Sequence, residues 1–416
     1  MSVIPDPKVI RRYMTLQGAW FASNGLLMVL FPYLVADRLN MSADLVGIAQ
    51  SVMMLPTFLL MLAGGSLADR FDGRSILIIV HTLAAIPPLV LGLIVSSGWL
   101  TYSALLVFGF ATGTLNAFSQ PARDSLLNRV VTAAGGAMSL QRAVTLATVI
   151  MFGAQIVGMI LASQADRIGV APLLWLQALA LLGTVVLVRQ IRLPSRPKVD
   201  HGTGLSYQIQ QMRDGLIEAF GHRKIMPVIV IAFCIGIFYM GAFQVILPIQ
   251  IREFHGGGAW RFALMSICFF GGTIVSSMAL LRLGGVRRGG RAVTLAVSVG
   301  AIVLAVLSIQ MPYWALLVVV FIWGLGAGVT ITLSRGMVQE FSPESHRGRL
   351  LAIFSMGFVG GGPIGSFSIG YLIHYIGPFQ AALVPAVLMA LALLTLVLTT
   401  DIWRIELPQH NPADAT

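Results

Sequence analysis

The chain has 416 residues, of which 57% are hydrophobic and only 10% charged. Soluble domains carry about 25% charged residues, so this little charge cannot coat water-facing globules of such length, and a soluble enzyme or binding module is excluded. The formal charge of +11 does not signal nucleic acid, because the basic residues sit in short breaks between apolar runs, where cytoplasmic loops of membrane proteins keep them.

In chain order, Met1 to Arg12 lacks a short apolar stretch with a small-residue cleavage site, so the first apolar run is expected to be retained as a span. Twelve runs then approach the roughly 20 residues a helix needs to cross lipid. No ten-residue alternation suggests a barrel, and helices satisfy their own backbone groups. Six spans fall near 14–36, 45–67, 75–97, 100–121, 138–162 and 171–190. A hydrophilic break follows, with Pro194, Pro197, Gly202 and Gly204. In it Leu205, Ile209, Met212, Leu216, Ile217 and Phe220 recur at helical spacing, which predicts an amphipathic helix on the membrane surface. Six more spans fall near 226–250, 260–282, 291–310, 312–334, 348–373 and 378–400.

Of the 27 Lys and Arg residues, 22 fall in alternate segments that include both termini and the central break, and 4 fall in the others; Arg142 lies within span 5. This bias predicts cytoplasmic termini. Cys234 and Cys268 sit in apolar runs and read as free core thiols, and no metal-ligand spacing is present.

The two halves echo each other. The loop after span 2 reads Gly65-Ser-Leu-Ala-Asp69-Arg70-Phe-Asp72-Gly73-Arg74, and that after span 8 ends Arg287-Arg288-Gly-Gly290-Arg291. Ala122-Arg123-Asp124 after span 4 resembles Ser334-Arg335-Gly336 after span 10. The expected fold class is therefore an all-α polytopic membrane protein: twelve transmembrane helices in two pseudo-symmetric six-helix bundles with the site between the halves. The divisions are 1–190, a linker at 191–224, 225–400, and a tail at 401–416.

Asp69 at the inner membrane edge can meet an Arg, or the positive end of a neighbouring helix, in one conformation and lose it in another. The plainer alternative is a positive-inside loop with one paired acid. The run Gly65 to Arg74 in a twelve-span chain resembles the signature loop of the major facilitator superfamily. With its extra Phe-Asp, with Pro121-Ala-Arg-Asp-Ser-Leu-Leu after span 4 and with Arg347-Gly-Arg349 before span 11, it is similar to the secretion-effector branch, which includes exporters of siderophores and macrolides. The resemblance implies a conformational latch of Asp69, Arg70, Arg74, Arg123 and Asp124. In the second half Val286 stands where the acid belongs, so a matching latch there is expected to lean on Arg287 and Arg291 alone.

Gly153-Ala-Gln155-Ile-Val-Gly158 in span 5 and Gly360-Gly-Gly-Pro363-Ile-Gly365 in span 11 resemble the small-residue stretches of antiporters, with Ala154 at a proline position. Such residues let helices 5 and 11 approach or slide, or serve generic tight packing. Gly109 replaces an arginine common in drug antiporters, and no carboxylate lies near mid-span, so protons as coupling ion are implied by the resemblance alone.

Polar groups inside spans are Asn24, Gln50, Asn116, Gln155 and Gln244; each serves helix packing or a ligand. The family lines its cavity with spans 1, 4, 7 and 10, which selects Asn24, Asn116, Gln244 and Trp323 as substrate-binding candidates, with Trp20, Phe238 and Tyr239 on the same spans. Arg142 reads as snorkelling to the inner surface or attracting an anion. His81 and His374 are candidate titrating groups or interfacial residues.

The expected activity is secondary active export of a small amphipathic organic molecule by a monomer in a bacterial inner membrane. The alternative is uptake of a small nutrient by the same fold. No phosphate loop, serine elbow or zinc motif appears, so an enzyme is not expected, and neither a cofactor nor a nucleic-acid partner is implied.

Overall fold

The computed structural model describes residues 8–134, 140–191, 193, 210, 213, 216–282, 286–343 and 347–407. Every regular element among them is helical. The expected linker residues Pro194, Pro197, Gly202, Gly204, Leu205, Ile209 and Met212 lie outside the described residues, as does the side chain of Asp69. Nine stretches among the described residues are long and apolar enough to cross a membrane, one of them being Arg349–Thr399. The chain divides into two compact units: Met1–Met41, Ala49–Gln208 and Gly257–Leu264 form the first, and Ser42–Ile48, Ile209–Gly256 and Met265–Thr416 the second.

The first unit contains α1 (Lys8–Pro32), most of α2 (Ala43–Arg70), α3 (Gly73–Ala84), α4 (Ile86–Ser96), α5 (Tyr102–Ala133), α6 (Leu140–Ala162), α7 (Ala165–Ile168) and α8 (Val170–Gln190). Asp72 caps α3 by accepting from the Arg74 amide, and Thr101 caps α5 by accepting from that of Ala104. Pro87 and Pro88 supply no amide hydrogen, and α3 gives way to α4 at Ala85 just before them. Pro32 ends the regular part of α1, and the chain continues as a wider π-helix, Tyr33–Arg38.

The helix α1 is the most buried element of this unit. It crosses α6 with backbones in contact: a Cβ on Gly158 would lie 2.0 Å from the Ala22 carbonyl oxygen, and one on Gly25 would lie 2.1 Å from that of Gln155. Without a water phase to drive helices together, such close approach supplies dispersion contact over the whole crossing. At one end Tyr13, Leu16, Leu77, Leu126 and Val130 form a fully buried core.

The second unit contains α9 (Met226–Ile235), π-turns Gly236–Met240 and Ala242–Ile246, α10 (Leu247–Phe254), most of α11 (Ala259–Arg282), α12 (Gly289–Val306), α13 (Tyr313–Phe341), α14 (Arg347–Thr399) and a short 3-10 turn, Ile402–Arg404. The 53 residues of α14 are two helices joined at Gly377, whose φ of 80° and ψ of 164° break the helix just before Pro378. Its glycine run packs on the π-turns: a Cβ on Gly365 would lie 1.9 Å from the Ile237 carbonyl oxygen. Both small-residue stretches therefore pack on the first long helix of their own unit, Gly158 on α1 and Gly365 on the run that begins with α9.

Candidate functional site

Two polar stripes face each other in the first unit. On α1, Tyr13, Gln17, Trp20 and Asn24 follow at steps of four, three and four; on α5, Thr112, Asn116, Ser119 and Arg123 do the same. That spacing puts each set on one helix face. Between the upper parts of the stripes lies a small recess of about 20 Å³, partly open to solvent. From α1 it is lined by Trp20, Ser23, Asn24 and Leu27, and from α5 by Thr112 and Asn116. Ala84 and Pro88 close one side, and Gln177 and Leu181 of α8 another. This volume holds little more than a water molecule in the present conformation. The Gln177 side chain is 3% exposed, and its carbonyl oxygen has no hydrogen-bond partner among the described residues. A buried acceptor left unpaired costs about 1–3 kcal/mol.

The lower parts of the stripes form a closed ring of hydrogen bonds. Arg123 Nη1 donates to Gln17 Oε1 at 2.9 Å, Gln17 Nε2 donates to the Tyr13 hydroxyl at 2.8 Å, and that hydroxyl donates to the Arg123 carbonyl at 3.0 Å. Arg123 is 5% exposed, its Nε is unsatisfied, and no ion pair to it is present among the described residues. Its guanidinium carbon lies 4.5 Å from the Trp20 ring centroid and 4.9 Å from that of Phe21. Cation–π attraction and the Gln17 bond offset part of the desolvation of a buried charge, which is several kcal/mol.

Trp20 also stacks on His81, with centroids 4.8 Å apart and planes 15° from parallel. His81 Nδ1 lies 2.6 Å from Thr184 Oγ1, and Nε2 lies 2.9 Å from Ser119 Oγ. The Thr184 hydroxyl already donates to the Leu181 carbonyl at 2.6 Å. It can only accept from the histidine, which assigns a proton to Nδ1. His81 is fully buried and packs against the indole of Trp20.

At the α2–α3 loop the paired acid is Asp72. It lies 2.6 Å from Arg74 and 2.8 Å from Arg129, and Arg74 also donates to the Ile191 carbonyl at 3.1 Å. Burial by itself would raise the Asp72 carboxyl, but hydrogen bonds from the Arg74 side chain and amide and from Arg129 outweigh it and hold the pKa down at about 2. Arg70 and Asp124 are exposed, whereas Arg123 is buried and bonds Gln17.

The second unit has a counterpart loop. Arg287 lies 3.2 Å and Arg288 3.8 Å from Glu406, Arg291 stacks on Trp403 at 5.0 Å, and the backbone pairs Leu407 N with Arg287 O and Gly290 N with Ile405 O. Val286 supplies no acid here, but Glu406, from beyond the last helix, reaches Arg287 and Arg288, while Arg291 lies over Trp403. The other candidates lie in this unit. Trp323 is buried against Tyr239, Phe243 and Phe269, and Gln244 is half-buried in a π-turn. His374 lies 3.6 Å from Asp44, and Cys234 and Cys268 are free and half-buried. Arg142 is exposed.

Asn24 and Asn116 thus share one recess with Trp20. The sequence reading passed over Tyr13, Gln17 and Gln177; the four-three-four spacing on α1 was the signal for the first two.

Both units are bundles of apolar helices, and the first carries buried polar stripes, the build of a multi-pass membrane protein. The chain matches the transmembrane secretion effectors over residues 18–415 and belongs to that family; it is a membrane transporter of the major facilitator type. Its fold is shared with the nucleoside transporter NupG, at a TM-score of 0.70 and 14% identity over 94% of this chain and 98% of the other. It is shared too with a transporter of the POT family solved with 5-aminolevulinic acid, at 0.75 and 10% identity over 97% and 98% of the two chains. No curated protein matches the sequence.

Proposed function

We propose that the protein exports a small amphipathic organic molecule by alternating access, with the recess at Trp20, Asn24 and Asn116 on the solute path. The recess is the observation that carries this reading. It offers an indole, three amides and two hydroxyls among its lining residues. Such a surface suits a solute with an apolar ring and a few polar groups. The secretion-effector family favours export over uptake.

The count of twelve spans is part of the proposal. It follows from nine apolar stretches when Arg349–Thr399 is divided at Gly377 and when Leu146–Ala162 and Tyr102–Ala133 are added. The divisions 1–190, 191–224, 225–400 and 401–416, cytoplasmic termini and residence in a bacterial inner membrane belong to the same reading. Gln244 and Trp323 are proposed as solute contacts from the second unit, and Asp69 with Arg70, Arg74, Arg123 and Asp124 as the latch. Protons are the proposed coupling ion, and no catalytic step is assigned.

Metabolite profiles of deletion and overexpression strains test the direction. Retention of a compound inside deletion cells supports export, whereas starvation of those cells for one nutrient supports uptake and overturns it. Restoring the deletion strain with Asp69→Asn should give at least tenfold less release at equal membrane abundance; full restoration would remove the latch.

A further inference from the structure

The start of α2 is lodged in the second unit. Ser42–Ile48 belong to that unit, whereas the chain on either side belongs to the first. Any motion of one unit relative to the other is therefore transmitted through this short segment. Its seat is a seam on α14 where backbones touch. A Cβ on Gly47 would lie 2.4 Å from the Ser366 carbonyl oxygen, and one on Gly370 would lie 2.7 Å from that of Ala43. Dispersion across such a crossing does not change with pH. One pair beside it does. Asp44 Oδ1 is buried and has no hydrogen-bond partner among the described residues. His374 Nδ1, one turn beyond Gly370 on α14, lies 3.6 Å from it. A buried acceptor without a donor is costly, and an imidazolium that closes this gap recovers part of that cost. Imidazole is the side chain whose charge changes between pH 5 and 8, a range in which carboxylates are ordinarily ionised throughout.

We propose that Asp44 and His374 make the seating of α2 on α14 respond to pH: acid charges the histidine and fastens the start of α2, and alkali loosens it. The groups around the pair leave this role to His374. Ser42 bonds the same carboxyl group of Asp44. On α14 itself Tyr371 lies one turn earlier, and the Tyr375 ring stands 5.4 Å from that of His374 and perpendicular to it. From α10, Phe254 packs on Phe379 just beyond Gly377. The charged groups there, Arg252 and Glu253, pair with each other at 2.6 Å, and His255 packs on Tyr313. On the π-helix before α2, Arg38 is exposed and Asp37 accepts from the Gly258 amide at 3.3 Å. The His374 side chain is 55% exposed, so solvent screens the pair and the response is a few-fold one. With cytoplasmic termini, as proposed above, the pair faces the outer medium, and outer acidity biases the cycle of alternating access; this use of the device rests on that reading.

Hydrogen exchange of the full chain in nanodiscs, read by mass spectrometry and corrected for the intrinsic effect of pH on exchange, tests this without a substrate. The first amides of a helix have no acceptor within it, so the peptide that covers residues 42–48 reports how firmly the segment is seated. Its protection is expected to be about two- to fivefold greater at pH 5.5 than at pH 8. His374→Gln and Asp44→Asn should each bring that ratio to about one. His374→Lys, charged at both pH values, should keep protection high at both. In histidine carbon-13 spectra, with the His374 signal assigned by its loss in His374→Gln, its titration midpoint should fall by about 0.3–0.7 of a pH unit in Asp44→Asn. Equal protection at the two pH values in the natural chain overturns the proposal, as does a ratio that survives His374→Gln or a midpoint that Asp44→Asn leaves in place. Should Asp44→Asn fail to fold, the exposed His374→Gln decides. A pH-dependent seating in a chain whose deletion causes no retention would reject export alone; export with a seating that ignores pH would reject this inference alone.

Discussion

Asp72 and Arg123 are both held by side chains from other helices, but they answer to opposite costs. Arg123 is a cation kept where water is absent, and its value lies in what it does to its surroundings. Asp72 is a loop carboxylate whose two arginine partners tie α3 to α5. Because its folded pKa lies below the ordinary carboxylate value near 3.9, its contribution is complete above about pH 5 and fades as pH falls toward 2. Asp72→Asn should therefore lower thermal stability by roughly 1–2 kcal/mol at neutral pH. The gap from the natural chain should stay constant from pH 5 to 8 and close below about pH 4. A gap that widens in acid would contradict the sign. That Arg129 reaches Asp72 is decided by where α5 passes, some sixty residues on, which spacing within the loop does not show.

Among elements, the crossing of α1 and α6 makes the clearest demand. Gly158 has the Ala22 carbonyl where a methyl would go, whereas Gly153, one turn earlier, faces open space. Gly158→Ala should thus cost several times more stability than Gly153→Ala, which should be near neutral or slightly favourable through helix propensity. Detergent thermal-shift measurements on the two variants check this, and equal losses would show the crossing to be looser. The glycines themselves were legible as tight-packing residues. Their partners were not: small residues advertise a close contact without saying which helix makes it. The π-turns after Pro32 and within 236–246 were equally silent, since a local widening leaves no mark on hydropathy.

At the scale of the molecule, helices and most of their ends were legible because lipid permits few alternatives to long apolar runs. The buried relays were not, because Gln17 meets Arg123 across 106 residues and His81 meets Thr184 across 103. Each unit fastens its loop after the second long helix to chain that follows its last helix: Arg74 to Ile191 in the first, and Arg287 and Gly290 to Leu407 and Ile405 in the second. The Glu406 pairs are about half exposed, so they are worth roughly 0–1 kcal/mol. The backbone bonds and the stacking of Arg291 on Trp403 carry the rest. Stopping the chain after Thr400 should lower the unfolding temperature by several degrees, while Glu406→Gln should shift it by no more than a degree or two. The reverse order would make the ion pair the fastening.

Glu406 also changes how a duplicated protein is compared with itself. Lining up the two halves scores Val286 as a lost acid, yet a carboxylate reaches the same arginines from 119 positions downstream. Charge in a repeat can move along the gene and keep its address in space. Mutational scans of either loop that stop at the loop's own borders will misjudge which substitutions are coupled.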